Sequence, residues 1–502
     1  MPIKVTVIGA GSIGFTRKVM GDILCVPELQ DTQFVFTDIN ARNLDMVYRL
    51  CKRDIESSGL PAKVSATTDR RKALKDANYV FSFVRVGGLE GFQTDIEIPL
   101  KYGVDQCVGD TLAPGGIMYA QRTVAVLLGF CKDISEVSAP GCLFINHSNP
   151  MAMNMWACNK YGHGVRCVGL CHGVEGGHRQ IANALGLPAK EVDIICAGIN
   201  HQTWYISVRH KGRDMTGKIL EAFEKHPQLS KTEKVRIDMM RRFGYYSTES
   251  NGHLSEYVPW YRKRPDEIMR WIDLGVWING QTGGYLRVCT EGRRWFEHDF
   301  PNWMAAPPRT FRPEDRGGEH GSYIIESLET GRRYRGHFNV VNRGCITNLP
   351  PDAVVEVPGY VDGNGMSIPI VGDLPLGCAA VCNASISMQR LAVEAAVHGD
   401  DALLRQAMMM DPLAGAVCNP PEIWQMTDEM LVAQAQWLPQ YKKAIATAKK
   451  RLASGNLIPT RSGYKGAARL AVKTVEQMAR DRAAARKNAA ETDKAKQRPA
   501  AK

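Results

Sequence analysis

Short apolar runs alternate with longer helical patterns over the first two hundred residues of this chain. The runs are rich in β-branched and aromatic residues, which favours buried strands of a parallel sheet. They occupy residues 3–8, 33–37, 77–84, 141–146 and 165–170. Strands that alternate with helices in this way predict an α/β fold with a doubly wound, parallel, Rossmann-like sheet.

The pattern changes in the second part of the chain, where strands mix with Gly/Pro turns and helices. We expect a Rossmann-like domain over residues 1–195 and an interlocked α+β domain over 196–480, which serves substrate, metal and oligomerisation. Helical patterns return over 387–412 and 431–480. Residues 481–502 are rich in Ala, Lys and Arg without apolar periodicity, which predicts a disordered basic tail.

The first apolar run ends in a glycine-rich turn of the type that binds dinucleotides. Gly9, Gly11 and Gly14 match G-x-G-x-x-G, with Ser12 and Ile13 between the last two. We expect Gly9 to allow the tight turn, Gly11 to admit the pyrophosphate and Gly14 to let the helix pack close on the strand. The helix that follows would present its free N–H groups to the phosphates.

An acidic residue follows the second strand at the place where a dinucleotide fold needs one. Asp38 comes directly after residues 33–37, where a carboxylate bonds the ribose 2′-hydroxyl. The same carboxylate would repel the extra phosphate of NADP, so the pattern indicates NAD. The alternative is an ordinary strand, turn and helix that bind no ligand.

Composition and charge exclude several classes of protein. The 502 residues are 44% hydrophobic and 23% charged, and the net charge is +11. Much of the positive excess lies in the C-terminal segment, and no basic patch interleaved with aromatic residues occurs elsewhere, so we expect no nucleic-acid partner. The 14 cysteines are scattered, and neither a signal peptide nor a transmembrane run is visible. We therefore expect a reduced cytoplasmic protein without membrane contact.

Two residues beyond strand ends carry groups that suit a transition metal. Cys171 follows the run 165–170, and His201 lies in a second loop, GINHQTW. A thiolate and an imidazole would leave coordination positions open for substrate oxygens. Two residues thirty apart make no metal motif, however, and a buried cysteine with a hydrogen-bonded core histidine gives the same pattern.

Several motifs together resemble one enzyme family from the N-terminus to about residue 450. In chain order they are GAGSIGFTRKVMGDIL, FTDIN, FVRVGG, IPLKYG, GDTLAPGGIMYAQRT, INHSNPM, GLCHG, GINHQTW and NLPPDAVVEVP. The chain resembles glycoside hydrolase family 4, the NAD- and Mn²⁺-dependent glycosidases, which lack the two-carboxylate chemistry of most glycosidases. Residues 244–257 resemble its α-galactosidase and α-galacturonidase branch.

The resemblance assigns the metal and substrate contacts. Cys171 and His201 match the two ligands of Mn²⁺, and Asn149 matches a substrate-binding asparagine. We expect Arg85 and Arg287 as substrate contacts that could bind an anionic group at C6 of the sugar, such as a carboxylate or sulfonate. Arginines that face solvent or pair with acidic residues would look the same in the sequence.

The resemblance also assigns the proton-transfer groups. His172 stands where many members have a proton donor beside the metal cysteine, and Asp110 matches an acid close to the catalytic base. The base is usually a tyrosine in a later loop. In this chain His253 and Tyr257 both align roughly with that tyrosine, so the identity of the base stays open.

The implied reaction is hydrolysis of an α-glycosidic bond by a redox route. The sugar is oxidised at C3, deprotonated at C2, eliminated at C1, hydrated and reduced again, so that NAD acts catalytically. The expected substrate is an α-galactoside or a related α-glycoside, and the expected assembly is a homodimer or homotetramer. One alternative is a malate/lactate-type NAD-dependent dehydrogenase, and another is a non-catalytic NAD-dependent sensor.

The position of Asp38 generates the first prediction. Asp38→Ala is expected to weaken NAD binding and to relax the discrimination against NADP, because the carboxylate no longer bonds the ribose or repels a phosphate. Fluorescence titrations with NADH and NADPH measure both affinities. Unchanged affinities for both dinucleotides would remove Asp38 from the ribose site.

Overall fold

A single mixed sheet runs through the protein. The computed structural model describes residues 2–275 and 278–496. Among these residues the strand order is β3-β2-β1-β4-β5-β6-β10-β11-β7-β8-β9, and β12 pairs with β11. The strands are β1 (Lys4–Ile8), β2 (Gln33–Thr37), β3 (Lys63–Ala66), β4 (Tyr79–Ser82), β5 (Leu143–Asn146), β6 (Arg166–Gly169), β7 (Val192–Ile199), β8 (Gln202–His210), β9 (Arg213–Asp214), β10 (Tyr334–Val341), β11 (Val354–Asp362) and β12 (Gly365–Ser367).

Helices cover both faces of this sheet and form its flanks. They are α1 (Ile13–Leu24), α2 (Ala41–Ser58), α3 (Arg70–Leu74), α4 (Gly88–Lys101), α5 (Ala113–Val137), α6 (Met151–Tyr161), α7 (Gly173–Ala184), α8 (Ile219–Lys225), α9 (Leu229–Thr232), α10 (Lys234–Phe243), α11 (Asn251–Tyr257), α12 (Pro265–Trp271), α13 (Gly284–Ala305), α14 (His320–Thr330), α15 (Leu376–His398), α16 (Asp401–Met410), α17 (Pro412–Val417), α18 (Pro420–Ala433), α19 (Lys442–Ala453) and α20 (Val475–Lys496).

The parallel half of the sheet contains the five strands predicted from the apolar runs and one more, β3, at its edge. Strands β1 to β6 pair in parallel in the order β3-β2-β1-β4-β5-β6. One hydrophobic core lies between this sheet and α1, α2 and α14, and another lies between the sheet and α5, α6 and α15. The predicted doubly wound α/β fold is therefore confirmed, and it brings the carboxyl ends of β1, β2, β4, β5 and β6 to one edge.

The second half of the chain extends the same sheet instead of forming a separate one. Strand β10 pairs antiparallel with β6, β11 with β10, and β7 with β11. The predicted boundary between residues 195 and 196 falls inside β7. Because of these pairings, the two halves of the chain share one continuous hydrogen-bonded sheet.

Two C-terminal expectations differ from the structure. The helical pattern expected over 431–480 is interrupted between α19 and α20, where Gly455 and Gly466 adopt φ values of +77° and +96°. This segment instead packs back on the loop after α4, where the Arg461 N–H donates to the Lys101 carbonyl. The segment from 481, expected to be disordered, is helical and belongs to α20 as far as Lys496. Its alanine, lysine and arginine residues favour helix. Residues 497–502 lie outside the described part.

None of the helices in residues 2–275 and 278–496 combines the length and the apolar character that a bilayer span requires.

Candidate active site

The glycine-rich turn after β1 meets the end of β2. Gly9 adopts φ +79°, and a Cβ there would lie 2.6 Å from the Phe83 carbonyl oxygen, so only glycine fits. The Gly11 N–H donates to Asp38 Oδ2 at 2.8 Å. Ser12, the residue before α1, makes no side-chain cap, which leaves the first helical N–H groups available to phosphates. The side chain of Ile13 lies outside the described residues.

Gly14 does not have the packing role expected for the third glycine. A Cβ at Gly14 would meet nothing within 4 Å. The residue instead borders a cavity of about 260 Å³, which Arg17, Lys18, Trp303 and Arg309 also line. The close helix–strand packing expected of Gly14 is therefore wrong.

One row of paired residues crosses the middle of the sheet between the loops that carry Cys171 and His201. Gly169 at the end of β6 pairs with Asn339 of β10, which pairs with Glu356 of β11, which pairs with Gly198 of β7. Cys171 follows Gly169 by two residues. His201 follows Gly198 by three, at φ +62° in the turn between β7 and β8.

Three side chains next to the Cys171 loop stand at metal-binding distances. The ligand atoms of His201, Glu249 and His253 all lie within 4.8 Å of one another. Cys171 is outside this group but adjoins it, because the Cβ position of Gly173 lies 3.1 Å from Glu249 Cγ and 3.6 Å from Cys171 Sγ. Burial lowers the pKa of His201, so its imidazole is neutral and can donate a lone pair. This set of donors fits a divalent transition metal.

The thiol of Cys171 lies close to acidic side chains. Burial raises its pKa well above the usual range, and the charges of Glu356 and Glu249 raise it further. Burial also raises the pKa of Glu356 to about 8. The Asn200 side chain donates to Glu356 Oε2 at 3.1 Å. A bound cation would offset this concentration of acidic groups.

Asp110 joins two residues predicted to contact the substrate. It accepts hydrogen bonds from Arg85 Nη2 at 2.8 Å and from Asn149 Nδ2 at 3.2 Å. The Arg85 guanidinium also lies over the rings of Phe92 and Tyr119, at 4.4 and 5.1 Å from their centroids. Arg85, Asp110 and Asn149 therefore form one polar group at the ends of β4 and β5.

The two candidates for the base lie on α11, with different partners. His253 Nδ1 is 2.6 Å from Glu256 Oε2, and its Nε2 is 3.0 Å from His201 Nδ1. Burial would lower the pKa of His253, but its bond to Glu256 and the charge of that residue outweigh burial, so the pKa is raised. The Tyr257 hydroxyl donates to the Asn200 carbonyl at 2.8 Å, and burial raises its pKa well above the usual range.

His172 faces the dinucleotide helix. Its Nε2 is 3.2 Å from Oε2 of the buried Glu319, whose Oε1 is 2.5 Å from Lys18 Nζ on α1. Its ring lies 6.4 Å from that of Phe15, also on α1. The expected role of His172 as proton donor stays a prediction. The structure adds its contacts with α1, the helix that follows the glycine-rich turn.

Arg287 pairs with an acidic residue of its own helix, and its expected contact with the substrate stays a prediction. It lies on α13, and its guanidinium bonds Glu291 one turn later at 3.0 Å. This pairing matches the alternative given for these arginines, that they pair with acidic residues of the protein.

Three residues of the site were missed by sequence reasoning. They are Glu249, Glu256 and Thr111, whose hydroxyl lies 3.2 Å from His201 Nδ1. The spacing of His253 and Glu256, three residues apart on a helix, is a signal that could have found one of them. The other two are brought in by loops far apart in the chain, which no local pattern reveals.

The sequence matches two models of one enzyme family and is similar to known members of it. The sequence model described as Family 4 glycosyl hydrolase matches residues 4–187, and that of the Family 4 glycosyl hydrolase C-terminal domain matches residues 196–414. An α-galactosidase of Rhizobium meliloti (strain 1021) is 56% identical, over 97% of this chain and 99% of the relative. An α-galactosidase of Bacillus subtilis (strain 168) is 33% identical, over 88% of this chain and its own full length (100%).

A solved structure shares the fold. A 6-phospho-α-glucosidase from gut microorganisms, in complex with NAD and glucose-6-phosphate, has a TM-score of 0.72 and 25% identity, over 87% of this chain and 99% of that chain. Because these relatives are glycosidases, the dehydrogenase alternative from the sequence has less support than glycoside hydrolysis.

The contrast between two glycines generates the second prediction. A Cβ at Gly11 would lie 2.9 Å from both Asp38 Oδ2 and Asn43 Cβ, whereas one at Gly14 would meet nothing. Gly11→Ala is expected to lower the thermal midpoint and to weaken NADH binding. Gly14→Ala is the matched control and should keep or raise the midpoint. Its free energy of unfolding should rise by at most roughly 0.5–1 kcal/mol, because alanine favours a helix.

Calorimetry and fluorescence titration measure the two effects of these variants. Equal midpoints for the two variants would contradict the close approach of Gly11 to Asp38.

Proposed function

Since this chain belongs to family 4 of the glycosyl hydrolases, we propose that it is an NAD⁺- and Mn²⁺-dependent α-galactosidase that acts on neutral, non-phosphorylated α-galactosides. The family membership establishes hydrolysis of glycosyl bonds. The cofactors, the route and the sugar are the parts that we propose.

The observation that carries the proposal is the meeting of three functional groups at one sheet edge. The dinucleotide turn follows β1, and the polar group of Arg85, Asp110 and Asn149 follows β4 and β5. The Thr111 hydroxyl donates to Asp110 at 3.0 Å and lies 3.2 Å from Nδ1 of His201, which belongs to the metal-donor group of His201, Glu249 and His253. In open α/β sheets this edge is where ligands bind. The solved 6-phospho-α-glucosidase with NAD and a sugar phosphate supports NAD as the dinucleotide.

The reaction divides between the cofactors and the side chains of the chain. When bound, NAD⁺ supplies hydride acceptance and return at C3 of the sugar, and the divalent metal supplies polarisation of the resulting carbonyl. Asn149 presents its amide beside Asp110 and can orient a sugar hydroxyl. Arg85 Nη2 and Thr111 Oγ1 donate hydrogen bonds to the Asp110 carboxylate, at 2.8 and 3.0 Å, and hold it in place. These bonds hold the sugar-facing group rigid before substrate arrives.

The charge balance of the Arg85 group favours a neutral sugar. Its guanidinium already pairs with Asp110, with side-chain exposures of 22% and 1%, and aromatic rings cover its faces. Arg287, the second cation expected at C6, pairs with Glu291. An arginine whose charge is balanced in this way offers little attraction to a carboxylate, sulfonate or phosphate on the substrate. The two α-galactosidase relatives support the same sugar class.

A turnover assay tests this proposal. The purified protein, freed of metal with a chelator, is given an aryl α-galactoside or the matching aryl α-galacturonide, with Mn²⁺ and NAD⁺ added separately and together. We expect hydrolysis of the galactoside only when both are present, without net accumulation of NADH, and at least about tenfold lower kcat/KM for the galacturonide, equivalent to about 1.4 kcal/mol.

Three results would contradict parts of the proposal. Full activity in chelator-treated protein would exclude the metal, stoichiometric NADH would indicate a dehydrogenase, and faster galacturonide hydrolysis would overturn the neutral-sugar assignment. Cys171→Ser and His201→Ala serve as site controls that should lose activity and keep NADH binding, since the glycine turn lies in a separate loop.

A further inference from the structure

We propose that Glu249 and His253 are direct ligands of the divalent metal together with His201, so that the chain holds it with two imidazoles and a carboxylate. This inference rests on the metal dependence proposed above and deepens it. It also gives His253 a ligand role in place of the open role of base.

The distances around His201 match a shared metal. His201 Nδ1 is 3.0 Å from His253 Nε2 and 3.8 Å from Glu249 Oε2. Metal–nitrogen and metal–oxygen bonds of about 2 Å place neighbouring ligand atoms roughly 3–4 Å apart. Two imidazoles and one carboxylate on one face form a known metal-binding set, which leaves other positions open.

The hydrogen bonds behind His253 orient it as a ligand. Glu256 Oε1 accepts backbone hydrogen bonds from Cys107 at 2.9 Å and Gly109 at 3.1 Å, which fixes its carboxylate. Glu256 Oε2 then faces His253 Nδ1 at 2.6 Å, so Nδ1 carries the proton and the lone pair of Nε2 points at His201. A carboxylate that receives the distal N–H of a metal-binding histidine is the usual arrangement around such ligands.

The burial of His253 favours the ligand role over that of base. Its side chain is 0% exposed, and its Nε2 faces His201 Nδ1 rather than the open part of the site. A base must reach a hydrogen on the sugar within hydrogen-bond distance. A metal between His201, Glu249 and His253 would instead be the group that meets the sugar oxygens.

Glu249 supplies charge from the accessible side. Its side chain is 32% exposed, whereas that of His201 is 8% exposed. Glu249 Cγ and Cys171 Sγ also approach the same point, since they lie 3.1 and 3.6 Å from the Cβ position of Gly173. The carboxylate would neutralise part of the metal charge, and Cys171, which adjoins Glu249, would be a further donor.

Pulsed EPR of bound Mn²⁺ counts the imidazoles directly, without substrate or turnover. In the wild-type protein with Mn²⁺ and NAD⁺, electron spin-echo modulation should show nitrogen couplings from two imidazoles. His253→Gln should leave the couplings of one. A single coordinated imidazole in the wild-type protein would overturn the proposal, whether or not the variant folds.

Metal affinity, followed by the EPR signal of free Mn²⁺, tests both new ligands. Glu249→Gln and His253→Gln should each raise the Kd for Mn²⁺ by more than about tenfold. Loss of a residue that only hydrogen-bonds to a metal ligand already weakens metal binding by about tenfold or more, and loss of a ligand should cost more. The matched controls are Glu191→Gln and His210→Gln, a glutamate–histidine pair 3.2 Å apart at the other end of the β7–β8 hairpin. The controls should keep the wild-type Kd.

The outcomes separate this inference from the proposed function. Two imidazoles and weakened binding in the variants support the ligand set even if no galactoside is hydrolysed. Unchanged Kd values in both variants overturn it even if the wild-type protein hydrolyses galactosides with Mn²⁺ and NAD⁺. In that case, loss of C2 hydrogen exchange in His253→Gln would assign His253 as the base.

Discussion

The structure depends on one row of backbone pairing across the middle of the sheet, from Gly169 through Asn339 and Glu356 to Gly198. This row joins the parallel half to the antiparallel half. A Cβ at Gly198 would lie 2.5 Å from the Gln202 carbonyl oxygen, and one at Gly169 would lie 3.0 Å from Asn339 Cβ. A side chain at Gly198 would therefore press β7 against β8, and one at Gly169 would also meet Met151 Sδ on α6.

The same row places polar groups in a buried position that an isolated dinucleotide fold would not require. Asn339 and Glu356 are 0% and 1% exposed. Burying a carboxylate is costly, and burial raises the pKa of Glu356 to about 8. Residues that cost stability in this way are expected at functional sites, where their positions are set by chemistry and not by packing.

Local patterns were sufficient to predict five of the six parallel strands, the glycine turn and the position of Asp38, but not β3, whose side chains are mostly exposed. Each of these depends on residues close in sequence, and the handedness of βαβ units sets the rest. The patterns failed where distant segments meet. Gly14 borders a cavity instead of a strand, and the segment after α19 follows the loop after α4 instead of continuing a helix. Glu249 reaches the site because the segment before α11 pairs with the start of β8, where the Thr248 N–H donates to the Thr203 carbonyl.

The central claim is that the glycosidic bond breaks by oxidation at C3 and removal of the C2 hydrogen, and hydrolysis in D₂O tests it most directly. The galactose released from an α-galactoside should carry deuterium at C2, as NMR or mass spectrometry would show, because that hydrogen leaves as a proton during each turnover. Complete hydrolysis with the original C2 hydrogen retained would instead indicate direct displacement at C1 by paired carboxylates, and it would contradict the account.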